Sequence, residues 1–285
     1  MASAKEIRTQ IGAIQNTGKI TKAMEMVAAS KMRKAQDRVI AARSYAEGVK
    51  RVVGNMMNAH AEYQHPFLVE REEIKKVGVI VVTTDKGLCG GLNTNALKAA
   101  LGVMKSQDAD VEVFTIGKRA GLFMRRIGAK ISGVAENISD TPELSDILGV
   151  VTLAIEKYEA GDLDEVHLVY SEFVNTMTQD PTSMRLMPCP LPDTDEESGY
   201  WDYLYEPEAK DVLEGVLRRY VESIVYHAVL ENKACEQSAR MVAMKAATDN
   251  AKEIVGDLKI TYNKARQAAI TQELAEICAG AAAAG

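Results

Sequence analysis

Apolar positions recur at Ala35, Val39, Ala42, Ala46, Val49, Val53 and Met56, in steps of four and three that repeat every seven residues. Such a seam predicts a helix packed lengthwise against another helix. Ile7, Ile11 and Ile14 open the chain in the same way, and Gly12 and Gly18 suggest a bend or short break near 16–19. A second seam runs through Leu213, Leu217, Tyr220 and Ile224, then through Ala251, Ile254, Leu258, Thr261, Ala265 and Ala268. Asp211 and Glu214 fall in its first turns, where the helix dipole favours acids. At ~1.5 Å per residue the first helix would be roughly 75–85 Å long and the last on the order of 100 Å.

Between these ends the pattern changes. Val77 to Thr83 is a continuous apolar run, as in a buried parallel strand. Residues 95–105 read as helix, 111–117 as strand, 118–127 as helix, 145–159 as helix and 166–173 as strand. This alternation predicts an α/β domain with a largely parallel sheet. Proline supports the division: all seven prolines lie from Pro66 to Pro207, and none occurs in either terminal segment. Proline costs about 3 kcal/mol inside a helix, so the two ends are free to be long helices. The predicted fold is α/β: a long antiparallel coiled coil of N- and C-terminal helices with an inserted Rossmann-like α/β domain. The divisions are 1–60 for the first helix, 75–207 for the inserted domain and 208–285 for the last helix.

With 285 residues, 47% of them hydrophobic, the chain is large enough for a substantial core. Aromatics are only 5%, which favours helices over an all-β fold. The net charge of -6 gives no nucleic-acid signature. Charge is uneven, however. Residues 1–51 carry 11 Lys and Arg against four acids, while residues 193–214 carry nine acids and one Lys. Lys31-Met32-Arg33-Lys34 reads either as a solvated helix face or as a docking face for an acidic partner. No run of residues is long and apolar enough to span a bilayer, and the N-terminus lacks the apolar core of a signal peptide, so any membrane role is expected to pass through partners.

Candidate chemistry is sparse. Asp85-Lys86-Gly87-Leu88-Cys89-Gly90-Gly91-Leu92-Asn93 follows the first strand and could in principle cradle phosphate. It matches neither the P-loop nor the dinucleotide pattern, and a tight turn packing against a neighbour is the better reading. Cys89 at a helix start could have a lowered pKa and act as a nucleophile, yet His60, His65, His167 and His227 offer it no catalytic company. The four cysteines form no CxxC pair, which points away from zinc and redox-dithiol sites. Met24 and Met26 lie two apart on a helix, so at least one faces outward. An α/β enzyme with a helical dimerisation arm, or a static coiled-coil tether, are the alternatives that these features leave open.

Longer motifs narrow the choice. Lys19 to Lys31, KITKAMEMVAASK, resembles the N-terminal signature of the gamma subunits of F-type ATP synthases, bacterial type. Glu236 to Ala251, EQSARMVAMKAATDNA, and Tyr262 to Leu274, YNKARQAAITQEL, resemble that family's C-terminal motifs, and Gly87 to Asn93 its middle one. The resemblance implies a rotor without catalytic residues, cofactor or metal. Its paired helices would turn inside the alpha3beta3 hexamer, and its α/β domain would rest beside the epsilon subunit on the c-subunit ring. The function it implies is coupling of proton flow and ring rotation to ATP synthesis or hydrolysis on the beta subunits. The expected location is peripheral, at the cytoplasmic face of the bacterial inner membrane, with no nucleic-acid partner. Carried over by resemblance, Met24, Arg240, Gln267, Thr271 and Glu273 are the contacts to the beta subunits. Trp201, Tyr203, Tyr205 and Glu208 belong to the foot that meets the c ring and epsilon.

Overall fold

A computed structural model describes residues 4–59, 65–71, 73–189 and 209–284. Its elements are α1 (Ala4–Ala59), β1 (Lys76–Val82), α2 (Leu92–Ser106), β2 (Asp110–Ile116), α3 (Lys118–Arg126), β3 (Lys130–Ala135), α4 (Ser145–Glu159), β4 (Glu165–Phe173), β5 (Gln179–Met187) and α5 (Ala209–Ala284). The chain divides into two compact units. One comprises Met1–Ala28 and Met241–Gly285, and the other Ala29–Arg240. The first and last helices are each continuous across that division. Among the described residues no helix is long and apolar enough to cross a membrane.

In the terminal unit, the start of α1 and the end of α5 lie side by side. Thr21 and Thr248 join their hydroxyls at 2.7 Å, and a methyl group placed on Gly18 would meet Ala251 at 3.4 Å. As one number rises the other falls, so the helices are antiparallel. No break occurs near 16–19: Gly18 is helical and sits where the partner approaches closely. The α5 seam differs in phase from the expected one. Ala251 and Val255 are buried and Leu258, Tyr262 and Ala265 half-buried, while Ile254, Thr261 and Ala268 are exposed. Carried to its end, the register sets Ala4 opposite Ala265. Residues 266–281 are exposed on every side, including Ile270, Leu274 and Ile277.

In the larger unit, Ala35 and Val39 cluster with Leu230 and Ala234, and Val53 and Met56 with Leu213 and Leu217, so these stretches of α1 and α5 are also antiparallel. The sheet has the order β3-β2-β1-β4-β5. Its first four strands are parallel and β5 pairs antiparallel with β4. β1 is central and buried along its length except for Lys76, as its unbroken apolar sequence requires. Helices α2 and α3 cover the face carrying Val77, Val79 and Val81. Helix α4, with Val53, Met56, Leu213 and Leu217 of the long helices, covers the face carrying Ile80, Val82 and Phe114.

Two strands, β3 and β5, are absent from the pattern of apolar runs. Both are edge strands. β5 keeps Pro181 within it and fully buries only Leu186 and Met187, as an edge position allows. Gly117 closes β2 with φ 97°, and a Cβ there would lie 2.2 Å from the Thr83 carbonyl oxygen, so only glycine fits.

Candidate functional site

Successive strands step outward from β1 on one side and then return to β4 on the other. The crevice at the carboxyl ends of β1 and β4 is therefore the switch point, where sheets of this kind place ligands. Here the crevice is filled by the chain itself. The glycine turn after β1 puts Cys89 and Leu92 against Cys235 and Ala239 of α5, with Phe173 beside them. The Cys235 thiol donates to the Ser171 carbonyl at 3.4 Å, and the Ser238 hydroxyl to that of Thr176 at 2.6 Å. Residues 228–239 of α5 are consequently buried on every face.

This collar encloses charge. Glu236 is 3% exposed and bridges two cations, Lys233 at 3.3 Å and Arg240 at 2.7 Å. Lys233 also donates to the Ile138 carbonyl at 3.1 Å, and Arg240 to that of Gly87 at 3.3 Å. Asp85 opens the glycine turn and accepts three backbone N–H groups, from Lys118 at 2.9 Å, Asn137 at 3.1 Å and Ile138 at 2.8 Å. It thereby caps α3 and ties the turn after β1 to the one after β3. Further along, Lys31 pairs with Asp140 at 2.6 Å and holds its carboxyl below the ordinary range. At least this cation of the basic run is thus engaged within the chain.

Cys89, Cys189 and Cys235 are buried, and Cys278 is exposed. Burial pushes the Cys89 thiol up, opposite to the lowering expected at a helix start. Cys235 is pushed up by burial as well, and Cys189 to about 12 for the same reason. His65 is buried and accepts the Phe67 N–H at 3.1 Å. His167 pairs with Glu165 at 3.0 Å and His227 with Glu231 at 3.1 Å. His60 lies outside the described residues. No group of three or more metal-binding side chains occurs among the described residues.

The residues expected at partner contacts fall in distinct settings. Met24 is half-buried and Met26 is 59% exposed. Close to them, Lys19, Lys22, Lys252 and Lys259 rim a groove lined by Ile14, Ala23, Met26 and Val255. Gln267, Thr271 and Glu273 are exposed, and the Thr271 hydroxyl donates to the Gln267 carbonyl one turn back. Arg240 is largely enclosed, with its side chain 11% exposed and held by Glu236, Gln237 and Gly87. Trp201, Tyr203, Tyr205 and Glu208 lie outside the described residues. Lys233, Glu236 and Asp85 were not singled out as partners from sequence. Charges at i, i+3 and i+7 among Ala234, Cys235 and Ala239 were the available signal.

Known proteins agree with this arrangement. The ATP synthase family profile matches residues 3–284. The ATP synthase gamma chain of Thiobacillus denitrificans is 53% identical, over 99% of this chain and all of that one. That of Nitrosococcus oceani is 54% identical over the same shares. Among solved structures, a rotor chain of the Euglena gracilis mitochondrial ATP synthase superposes with a TM-score of 0.65 at 20% identity, covering 94% of this chain and 98% of that one. The match in sequence is full-length on both sides, and the chain belongs to the ATP synthase gamma chain family.

Proposed function

We propose that the chain is the central-stalk rotor of a bacterial F-type ATP synthase and is itself non-catalytic. In this reading the paired helices are the shaft within an alpha3beta3 hexamer, and the inserted domain, 75–207, is the platform that meets epsilon and the c ring. Proton flow turns the ring and the shaft, and the shaft drives the beta subunits through their states in turn. ATP is made or hydrolysed on the beta subunits, and the rotor regulates that activity through its angle. The protein would sit at the cytoplasmic face of the inner membrane, held only by partners.

The observation that carries this reading is the terminal unit. Past Ala265 no described residue of α1 lies opposite the last helix in this register, and the helix exposes Ile270, Leu274 and Ile277. A lone amphipathic helix gains little stability by itself, so a surrounding partner is the natural cover for it. Gln267, Thr271 and Glu273 on this stretch would meet the beta subunits. The lysine-rimmed groove near Met24 suits passing acidic loops, with contacts weak enough not to trap one angle. Arg240 would complete the beta-subunit contacts. Trp201, Tyr203, Tyr205 and Glu208 would form the foot.

The test is reconstitution. Alpha and beta subunits should co-purify with the chain, and their ATPase should depend on it. A bead fixed to the inserted domain should rotate when MgATP is added. ATPase that is unchanged by the chain, with a bead that never rotates, would overturn the reading.

A further inference from the structure

A rotor needs more than a shaft. The sheet unit must turn with α5 and not slip around it. Apolar contacts hold two surfaces together without fixing their angle, because the hydrophobic effect is non-directional. Most of the collar contacts are of that kind: Cys89 and Leu92 against Cys235 and Ala239, and Ala35 and Val39 against Leu230 and Ala234. Directional, charge-assisted bonds in a dry setting resist rotation far better.

One set of such bonds closes on itself. From Glu236 it runs to Lys233, to the Ile138 carbonyl, through the Ile138 N–H to Asp85, along the chain to the Gly87 carbonyl, to Arg240, and back to Glu236. The α5 members lie on one face, and Lys233 and Arg240 stand about 10 Å apart along the axis at ~1.5 Å per residue. Both cations grip carbonyls of the sheet unit, one in the turn after β3 and one in the turn after β1. Asp85 fixes those two turns to each other. The side chains of Lys233 and Glu236 are 8% and 3% exposed, so water does not compete freely. The Lys31–Asp140 pair, 43% and 46% exposed, cannot serve the same purpose.

We propose that the Lys233–Glu236–Arg240 triad, closed through Ile138, Asp85 and Gly87, is a torsional lock that makes α5 and the sheet unit turn as one. Lys233, Glu236 and Asp85 are then positioning residues for energy coupling. The proposal rests on the rotor reading and deepens it.

The experiment uses the assembled catalytic sector, with a bead on α2 and the hexamer fixed to glass. The rotor is stalled in an inhibited state, and the angular variance of the bead is recorded. Glu236→Gln keeps shape but removes the anion that orients both cations toward the Ile138 and Gly87 carbonyls, and should raise the variance at least two-fold. Lys233→Met keeps the Glu236–Arg240 pair, and should raise it by a smaller factor if the first variant fails to assemble. In membranes, protons pumped per ATP hydrolysed should fall while hydrolysis persists. A variance equal to wild type in an assembled variant, with only a lowered melting temperature, would overturn the lock and leave the triad a matter of stability. A wild-type bead that does not rotate with ATP would instead overturn the rotor reading, so the two failures are distinct.

Discussion

Two stretches of α5 carry comparable residues in opposite surroundings. From 228 to 239 every residue is buried, Glu231, Lys233 and Glu236 among them, whereas from 266 to 281 every residue is exposed, Ile270, Leu274 and Ile277 among them. Within one helix, charges are inside and large apolar groups outside. The first stretch must satisfy its charges from within the chain: Glu236 lies between two cations, whereas Glu231 pairs one oxygen with His227 and leaves Oε2 without a hydrogen bond. The second buries none of its apolar groups within the described chain, and on the rotor reading they would gain from other subunits. Mutations in the first should act on folding, and in the second on assembly and coupling.

The largest effect should come from Glu236→Leu. It leaves Lys233 and Arg240 enclosed without their shared anion, and breaking a buried pair typically costs 3–5 kcal/mol. Glu273→Leu makes the same chemical change at an exposed site and should shift stability by less than about 0.5 kcal/mol. Urea unfolding of the isolated chain checks both. Equal losses at the two sites would erase the contrast between the stretches.

This contrast was only half legible in the sequence. The long helices and the central strand were readable, because proline-free seams and an unbroken apolar run each permit few structures. The phase of the seam after Ala251 was not. Ile254 and Val255 are equally apolar, as steps of three or four both allow, and only the approach of α1 decides for Val255. β3 and β5 escaped because edge strands need no continuous apolar run. The enclosed charges escaped for a different reason. Lys233, Glu236 and Arg240 have the spacing of a solvated face, and the carbonyls that receive two of them lie on turns about a hundred or more residues away. By contrast, exposed Gln267, Thr271 and Glu273 were named only through family resemblance, since their spacing alone assigns no partner.

Glu112 extends the enclosed-charge side of the comparison to the sheet and gives it a pH dependence. Burial opposes its ionisation, yet hydrogen bonds from Lys130, Lys157 and Ser132 hold its pKa at about 2, against an ordinary 4.5. A carboxyl depressed in the folded state stabilises the fold above its unfolded pKa. That contribution is lost as pH falls from about 4.5 toward 2. Glu112→Gln should therefore lower the melting temperature at pH 7 and narrow its gap to wild type toward pH 2. Calorimetry across that window is the check, and a constant gap would remove Glu112 from the charged core.

A smaller effect is expected in the terminal unit, where burial is intermediate between the two stretches. Thr21 and Thr248 share a hydroxyl contact at 2.7 Å, and each also reaches a carbonyl of its own helix. Thr248→Val should cost about 1 kcal/mol, the usual net value of one hydrogen bond. Adding Thr21→Val should cost less than the sum, because the second hydroxyl has already lost its partner. Strict additivity in a double-mutant cycle would mean that the two helices do not depend on that contact.

The smallest effect on the isolated chain should come from Leu274→Ser. Leu274 is 57% exposed and lies past the stretch that the described residues of α1 cover. Serine has a helix propensity only slightly below that of leucine, so the unfolding midpoint should move by less than about 0.5 kcal/mol. In the assembled complex the same side chain would be covered, and full burial of a leucine contributes about 1.5–3 kcal/mol. Affinity for the alpha3beta3 hexamer should then fall by roughly tenfold or more, since each 1.4 kcal/mol is a factor of ten. Paired measurements on one preparation, unfolding of the free chain and titration into the hexamer, separate the two quantities. A large loss of stability in the free chain would mean that this stretch is held by the chain itself, and a loss in neither would mean that no partner covers Leu274.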